Sequence, residues 1–135
     1  MTLQLSVAAR NGGLDAYETE LGASPILKIR SGAVPATCAT ADAGTVLATC
    51  NLPADAFAAA SSGSKAKSGT WEDASADTAG TAAHFRLYKT DGVTCVMQGT
   101  ITATGGGGDM TVDNVTFAAT QAFTITGYTL TAGNA

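Results

Sequence analysis

From residue 82 onward the chain alternates apolar and polar side chains in short runs closed by turn residues, a period of two that dictates a β architecture. Residues 82–89 (AAHFRLYK) set Phe85 and Leu87 against His84, Arg86 and Tyr88, which this pattern places outward. Asp91-Gly92 follows, the strongest hairpin signal in the chain. Residues 93–104 read as the returning strand, with a bend expected at Gly99. Gly105, Gly106, Gly107 and Gly108 form an unbroken run, and residues 110–117 and 122–131 complete the series. In the last of these the apolar positions change parity, from Phe123 and Ile125 to Tyr128 and Leu130. Gly127 lies at the change, which predicts a β-bulge. Threonines at alternate positions (Thr100, Thr102 and Thr104; Thr124 and Thr126) suit the wet face of a sheet.

The N-terminal end has a different period. Leu3, Val7, Arg10, Leu14, Tyr17 and Leu21 succeed one another at steps of four and three, one stripe on a helix. Gly22 stands where a C-cap belongs. Gly12-Gly13 costs about 2 kcal/mol relative to alanine, enough to predict a break into an arm and a shorter helix over residues 14–21. Residues 25–31 (PILKIRS) then alternate as a strand, 32–44 read as a loop, and 45–52 as a second strand. Pro53 opens an Ala-rich piece expected to form one or two helical turns, and 61–69 is flexible by composition. Thr70 and Trp71 start a strand or anchor a loop.

The expected organisation is a helical arm over residues 1–22 and a β domain over 23–135, one domain overall. About seven strands behind an amphipathic helix point to a mainly-β, antiparallel β-sandwich or a Greek-key or jelly-roll-like barrel.

Composition limits the function classes. Only 13% of the 135 residues are charged, against about 25% in an ordinary soluble domain, and Ala, Gly and Thr fill the gap. A core of small side chains is often completed by burial against other subunits. The net charge of −4 argues against nucleic acid, and Lys65 and Lys67, the densest basic pair, have no aromatic between them. No apolar run is long enough to span a bilayer. With no basic and apolar leader at the N-terminus, synthesis and folding in a cytoplasm are expected.

Candidate chemistry is sparse. His84, the single histidine, has no G-x-S-x-G elbow beside it. The glycine run lacks the Lys-Ser/Thr of a phosphate loop and lies between two strands. Asp109 and Asp113, or Asp73 and Asp77, are oxygen donors without calcium-loop spacing. Cys38, Cys50 and Cys95 fit no zinc pattern. They read as small buried hydrophobes, or Cys38 and Cys50 as a disulfide in an oxidising setting. Trp71 with Tyr88 or Tyr128 is the only aromatic pair that can serve a glycan platform. The expectation is a protein with no catalytic, metal or cofactor site.

Three segments carry a family likeness: LQLSVAARNGGLDAYETELGASPILKIRSGAVP, SKAKSGTWEDASADTAGTAAHFRLY and CVMQGTITATGGGGDMTVDNVTFAATQAFTITGYTL. Together they resemble a family of small proteins encoded among the virion genes of tailed bacteriophages and prophages. The likeness rests on phrases such as GASPILKIRSG, GTAAHFRLY and GGGGDMTVDN, and on no reaction. It implies a structural component of the particle: a capsid decoration (cement) protein contacting the major capsid protein, or a head–tail or tail component. By the same analogy it implies a homo-oligomer, a trimer first. Leu3, Val7, Leu14, Tyr17 and Leu21 of the stripe, with Gly105, Gly106, Gly107 and Gly108, are the candidate subunit contacts. A glycan-binding module on the particle is the rival reading from another class.

Overall fold

The structure, a computed structural model, describes residues 3–134; Met1, Thr2 and Ala135, the outermost residues of the expected arm and β domain, lie outside it. Ser6 caps α1 (Val7–Leu21), its hydroxyl accepting from the Ala9 N–H at 3.1 Å. Gly22 closes the helix with a φ of 77° and an N–H bond to the Glu18 carbonyl. The expected break at Gly12-Gly13 does not occur. Tertiary ties flank the pair: Arg10 donates to the Ala132 carbonyl at 3.1 Å, and Asn11 accepts from the Gly63 N–H at 2.8 Å. Leu14 and Leu21 are buried, each contributing roughly 2 kcal/mol, which together outweighs the glycine cost.

Among the described residues eleven strands follow. They are β1 (Ile26–Arg30), β2 (Val46–Asn51), β3 (Ser64–Ala66), β4 (Trp71–Asp73), β5 (Gly80–Thr81), β6 (His84–Tyr88), β7 (Cys95–Ala103), β8 (Met110–Val112), β9 (Thr116–Phe117), β10 (Phe123–Ile125) and β11 (Thr129–Thr131). A five-stranded sheet in the order β2-β1-β6-β7-β8 and three ribbons (β10–β4, β11–β3 and β5–β9) share one core. The result is the expected mainly-β, sandwich- or barrel-like single domain. The strand number exceeds seven because elements of two or three residues are too short to show alternation.

The local expectations fare unevenly. Residues 53–60 form no helical turn; the segment is extended, and Phe57 bridges Lys67. The supposedly flexible 61–69 contains β3 and a tight turn in which Ser61 and Ser64 exchange backbone bonds of 2.8 and 2.9 Å. Residues 122–131 are two strands with different partners, so the parity change near Gly127 marks a chain break and not a bulge. Gly99 pairs in register with Phe85 inside β7 and bends nothing. A Cβ there would lie 2.8 Å from the Asp109 carboxylate and 3.0 Å from the Phe85 ring, so close approach explains that glycine.

Every ladder is antiparallel except β7–β8, where Ile101 pairs with Met110. Parallel neighbours usually need a connection of about a dozen residues. Here residues 104–109 suffice, because Gly105 and Gly107 take φ of 89° and 78°. The Asp109 carboxylate then fastens the return, accepting the Thr100 N–H at 2.8 Å and its hydroxyl at 3.0 Å.

Candidate functional site

The central sheet has two faces set by alternation along β1 and β6. Leu27, Ile29, Phe85 and Leu87 enter the hydrophobic core. The opposite face carries Lys28 and Arg30 on β1 beside Arg86 and His84 on β6, in register. This second face was expected to meet water. Instead Arg30, His84, Arg86 and Tyr88 are all buried.

Residues 32–44 cover that face, and Arg86 organises the cover. Its Nη2 donates to the carbonyls of Thr37 and Thr40, both at 2.9 Å, while Nη1 reaches Asp42 Oδ1 at 2.6 Å and Nε reaches Gln98 at 3.0 Å. Gln98 in turn donates to the Pro35 carbonyl at 2.7 Å. Asp42 also receives Arg30 at 2.9 Å and the Tyr88 hydroxyl at 2.6 Å. Burial raises the Asp42 carboxyl pKa, but the bonds from Tyr88 and Arg86 and the charge of Arg30 outweigh it and hold the group below its usual range. Tyr88 is pushed up by burial and by its bond to Asp42. One carboxylate thus serves two guanidiniums, and main-chain carbonyls with the Gln98 amide take the further donors of Arg86.

His84 belongs to the same layer. Its Nδ1 lies 2.7 Å from the Gly32 carbonyl, and since a carbonyl only accepts, Nδ1 carries the proton. Its Nε2 and the Arg30 Nε are buried without partners. Burial lowers the imidazole pKa, and the charges of Arg30 and Arg86 add to that against the Gly32 bond. The ring is held neutral, and neither a nucleophile nor an orienting carboxylate bonds to it.

A second buried cation lies under the helix. Lys65 of β3 donates to Asp15 at 2.6 Å, to Glu18 at 3.0 Å and to the Ala58 carbonyl at 2.9 Å, which uses its three protons. Burial disfavours the ammonium, but Asp15 and Glu18 more than compensate and the Lys65 pKa is raised. Glu18 also accepts the Phe57 N–H, and Asp15 the Ala60 N–H. The helix is therefore built into the β domain and is not a detachable arm. The residue that composition marks as half of a basic pair is an internal strut.

The remaining candidates are dispersed. Trp71 is buried, its Nε1 donating to the Ala56 carbonyl at 3.2 Å and its ring packed edge-on to Phe57. With Trp71 and Tyr88 both buried, the pair that the rival glycan-binding reading would need is not presented. Asp73 accepts the Thr49 N–H and Asp77 the Thr49 hydroxyl, so both carboxylates tie their segment to β2. Among the described residues no group of three or more His, Cys, Asp or Glu is placed to hold a metal. The expected alternative of a Cys38–Cys50 pair is not what forms: Cys50 lies in the core, its thiol pushed to about 12 by burial and nearby carboxylates. Cys38 instead meets Cys95, sulfur to sulfur at 2.8 Å.

The stripe along α1 divides. Leu14 and Leu21 are buried in this chain's own core and present no surface to a neighbour. Leu3 (68% exposed), Val7 (51%) and Tyr17 (51%) face solvent, with Leu5 beside them. Tyr17 stands where two grooves meet. One, of ≈ 240 Å³, runs between the helix and residues 131–134; the other, of ≈ 420 Å³, runs past Val96, Met97, Tyr128 and Leu130. Gly105, Gly106 and Gly107 are exposed at a sheet edge and Gly108 half-exposed, some distance along the chain from the helix. Among the described residues no helix is long and apolar enough to cross a membrane. No protein-family model, curated protein or solved structure matches the chain.

Proposed function

We propose that this chain is a non-enzymatic structural protein of a bacteriophage particle, a decoration or cement protein that binds the major capsid protein shell and stabilises it. The observation that carries the reading is the apolar row of Leu3, Leu5, Val7 and Tyr17 left in water by a chain with few large apolar residues. Such a row is held in place, since the Leu5 N–H donates to the Asn134 carbonyl at 2.6 Å and Arg10 grips Ala132. A rigid apolar ridge beside grooves is a surface suited to burial against another protein. The resemblance of GASPILKIRSG and GGGGDMTVDN to virion proteins supplies the kind of particle.

In this reading copies of the chain associate through the ridge, as a trimer, and dock on the shell with the exposed Gly105–Gly107 turn at a second contact. Cryo-electron microscopy of particles made with and without the protein tests it. The expected result is density lost from the capsid surface when the protein is missing, with shells that rupture at lower temperature. Loss from the tail alone would make the chain a tail or head–tail component and end the cement assignment. Native mass spectrometry of the purified protein gives the copy number; a strict monomer removes the preformed trimer.

A further inference from the structure

We propose that Cys38 and Cys95 are an oxidation site, two thiols that close into a disulfide and lock the 32–44 cover onto the sheet. The two sulfurs are 2.8 Å apart, with the Cys95 thiol donating to Cys38. Both residues are half-exposed, and Cys38 borders the larger groove, where a small solute can reach it.

The juxtaposition is built from both sides. In β7 the register against β6 slips at Val96, so that Leu87 faces Met97 while Tyr88 faces Cys95. That bulge brings Cys95 to the register position of Tyr88, whose hydroxyl meets the cover at Asp42. On the other side Arg86 grips the carbonyls of Thr37 and Thr40 and lies 3.4 Å from that of Cys38 itself. The residues flanking Cys38 are thereby fixed, and its sulfur has little freedom to leave its partner. Arg86 is the positioning residue; burial and the bond to Cys38 push the Cys95 thiol up to about 12, so Cys38 attacks first and Cys95 acts as the resolving thiol.

The step is a thiol–disulfide exchange with a small-molecule disulfide, RSSR, as oxidant. The Cys38 thiolate attacks one sulfur, the RS–SR bond breaks, and RS⁻ leaves. Cys95, after giving its proton to solvent, attacks the Cys38 sulfur of the mixed disulfide and expels the second RS⁻. Two protein thiols and one RSSR become one protein disulfide and two RSH; the protein loses two electrons and two protons, and the oxidant gains them. The bond joins positions 57 apart in sequence, so it constrains a long loop of the unfolded chain. It does not depend on the cement reading. It suits any protein that folds among reduced thiols and then works in an oxidising medium.

The test incubates the purified protein with oxidised glutathione, then compares it with a phosphine-reduced sample by peptide mapping and thermal unfolding. The expected product is a Cys38–Cys95 crosslinked peptide with two hydrogens lost, and a Tm higher by roughly 10 °C. Cys38→Ser and Cys95→Ser each abolish the rise, while Cys50→Ala keeps it. Circular dichroism of the reduced variants checks that they fold; if either serine variant does not, the matching alanine variant replaces it. Stable glutathione adducts on Cys38 with no internal bond would overturn the proposal. So would a crosslink through Cys50, or equal Tm values for oxidised and reduced wild type.

Discussion

The covered face of the central sheet and the ridge along the helix are opposites. Beneath residues 32–44 the chain buries two guanidiniums and an imidazole, and under the helix an ammonium. On the ridge it leaves three leucine- or valine-sized side chains and a tyrosine in water. A buried cation costs several kcal/mol unless its protons find acceptors. Arg86 and Lys65 find theirs within the chain, from Asp42, Asp15, Glu18 and loop carbonyls. The inner region meets the charge of its cations within one copy, leaving only the Arg30 Nε and the His84 Nε2 without partners. The ridge stays in water among the described residues, and in the proposed reading its completion lies in another molecule.

This contrast is broken most strongly at Arg86. Arg86→Met removes the fork that holds the cover, and urea unfolding should show a loss of about 3–5 kcal/mol. Self-association should not change. Lys65→Met should cost less, about 2 kcal/mol, because Asp15 and Glu18 sit near enough to solvent to rehydrate. Amide exchange in α1 should accelerate in that variant while the 32–44 cover keeps its protection. A cost equal to that of Arg86→Met would mean that the two cations are equivalent struts. Gly99→Ala drives a methyl into Asp109 and Phe85 and should cost about 1–2 kcal/mol in the same assay.

Acid separates the regions by titration. His84 has a folded pKa below its usual 6.5, so the unfolded chain binds its proton more readily. Stability is complete above pH 6.5 and declines as pH falls through the lower folded value. A further decline begins below about 3.8, where Asp42 and Asp15, both held below that value, take protons in the unfolded chain first. Tm measured from pH 8 to pH 3 should show both steps, and His84→Asn should erase the upper one. A Tm that rises on acidification from pH 7 to pH 5 would contradict the neutral, buried ring.

Much of the inner region was legible in the sequence, and its cover was not. The alternation in ILKIR and HFRLY assigned each residue of β1 and β6 to the correct face. It could not say that the polar face is roofed, because the roof is an irregular loop of small residues held by one aspartate and by main-chain carbonyls that carry no sequence signal. The parity rule therefore sent His84, Arg86 and Tyr88 outward. The burial of Lys65 is invisible in sequence for a related reason: its partners Asp15 and Glu18 lie about fifty positions away on a helix. At 61–69 composition misleads, because backbone bonds between Ser61 and Ser64 close a tight turn that leads into β3. At Gly12-Gly13 propensity was correct in sign and too small in size, since contacts on both flanks exceed it. The candidate contacts Leu3, Val7 and Tyr17 are exposed as a contact surface requires, while Leu14 and Leu21 point inward as the same helical stripe also permits.

The smallest effect on folding is expected at the ridge. Leu3→Ser, Val7→Ser and Tyr17→Ser remove apolar surface that the folded monomer does not bury, so each should change stability by less than about 0.5 kcal/mol. Their effect belongs to assembly, and combining them gives the most direct measurement of the central claim. Shells stripped of the protein are mixed with wild type or with the triple variant, and the amount bound is read by co-sedimentation. Wild type should saturate the shells, and the variant, folded with an unchanged Tm, should remain in the supernatant. Equal binding by the two proteins, with the same copy number for both in native mass spectrometry, would contradict the account, because the row left in water would then have no part in joining this chain to another.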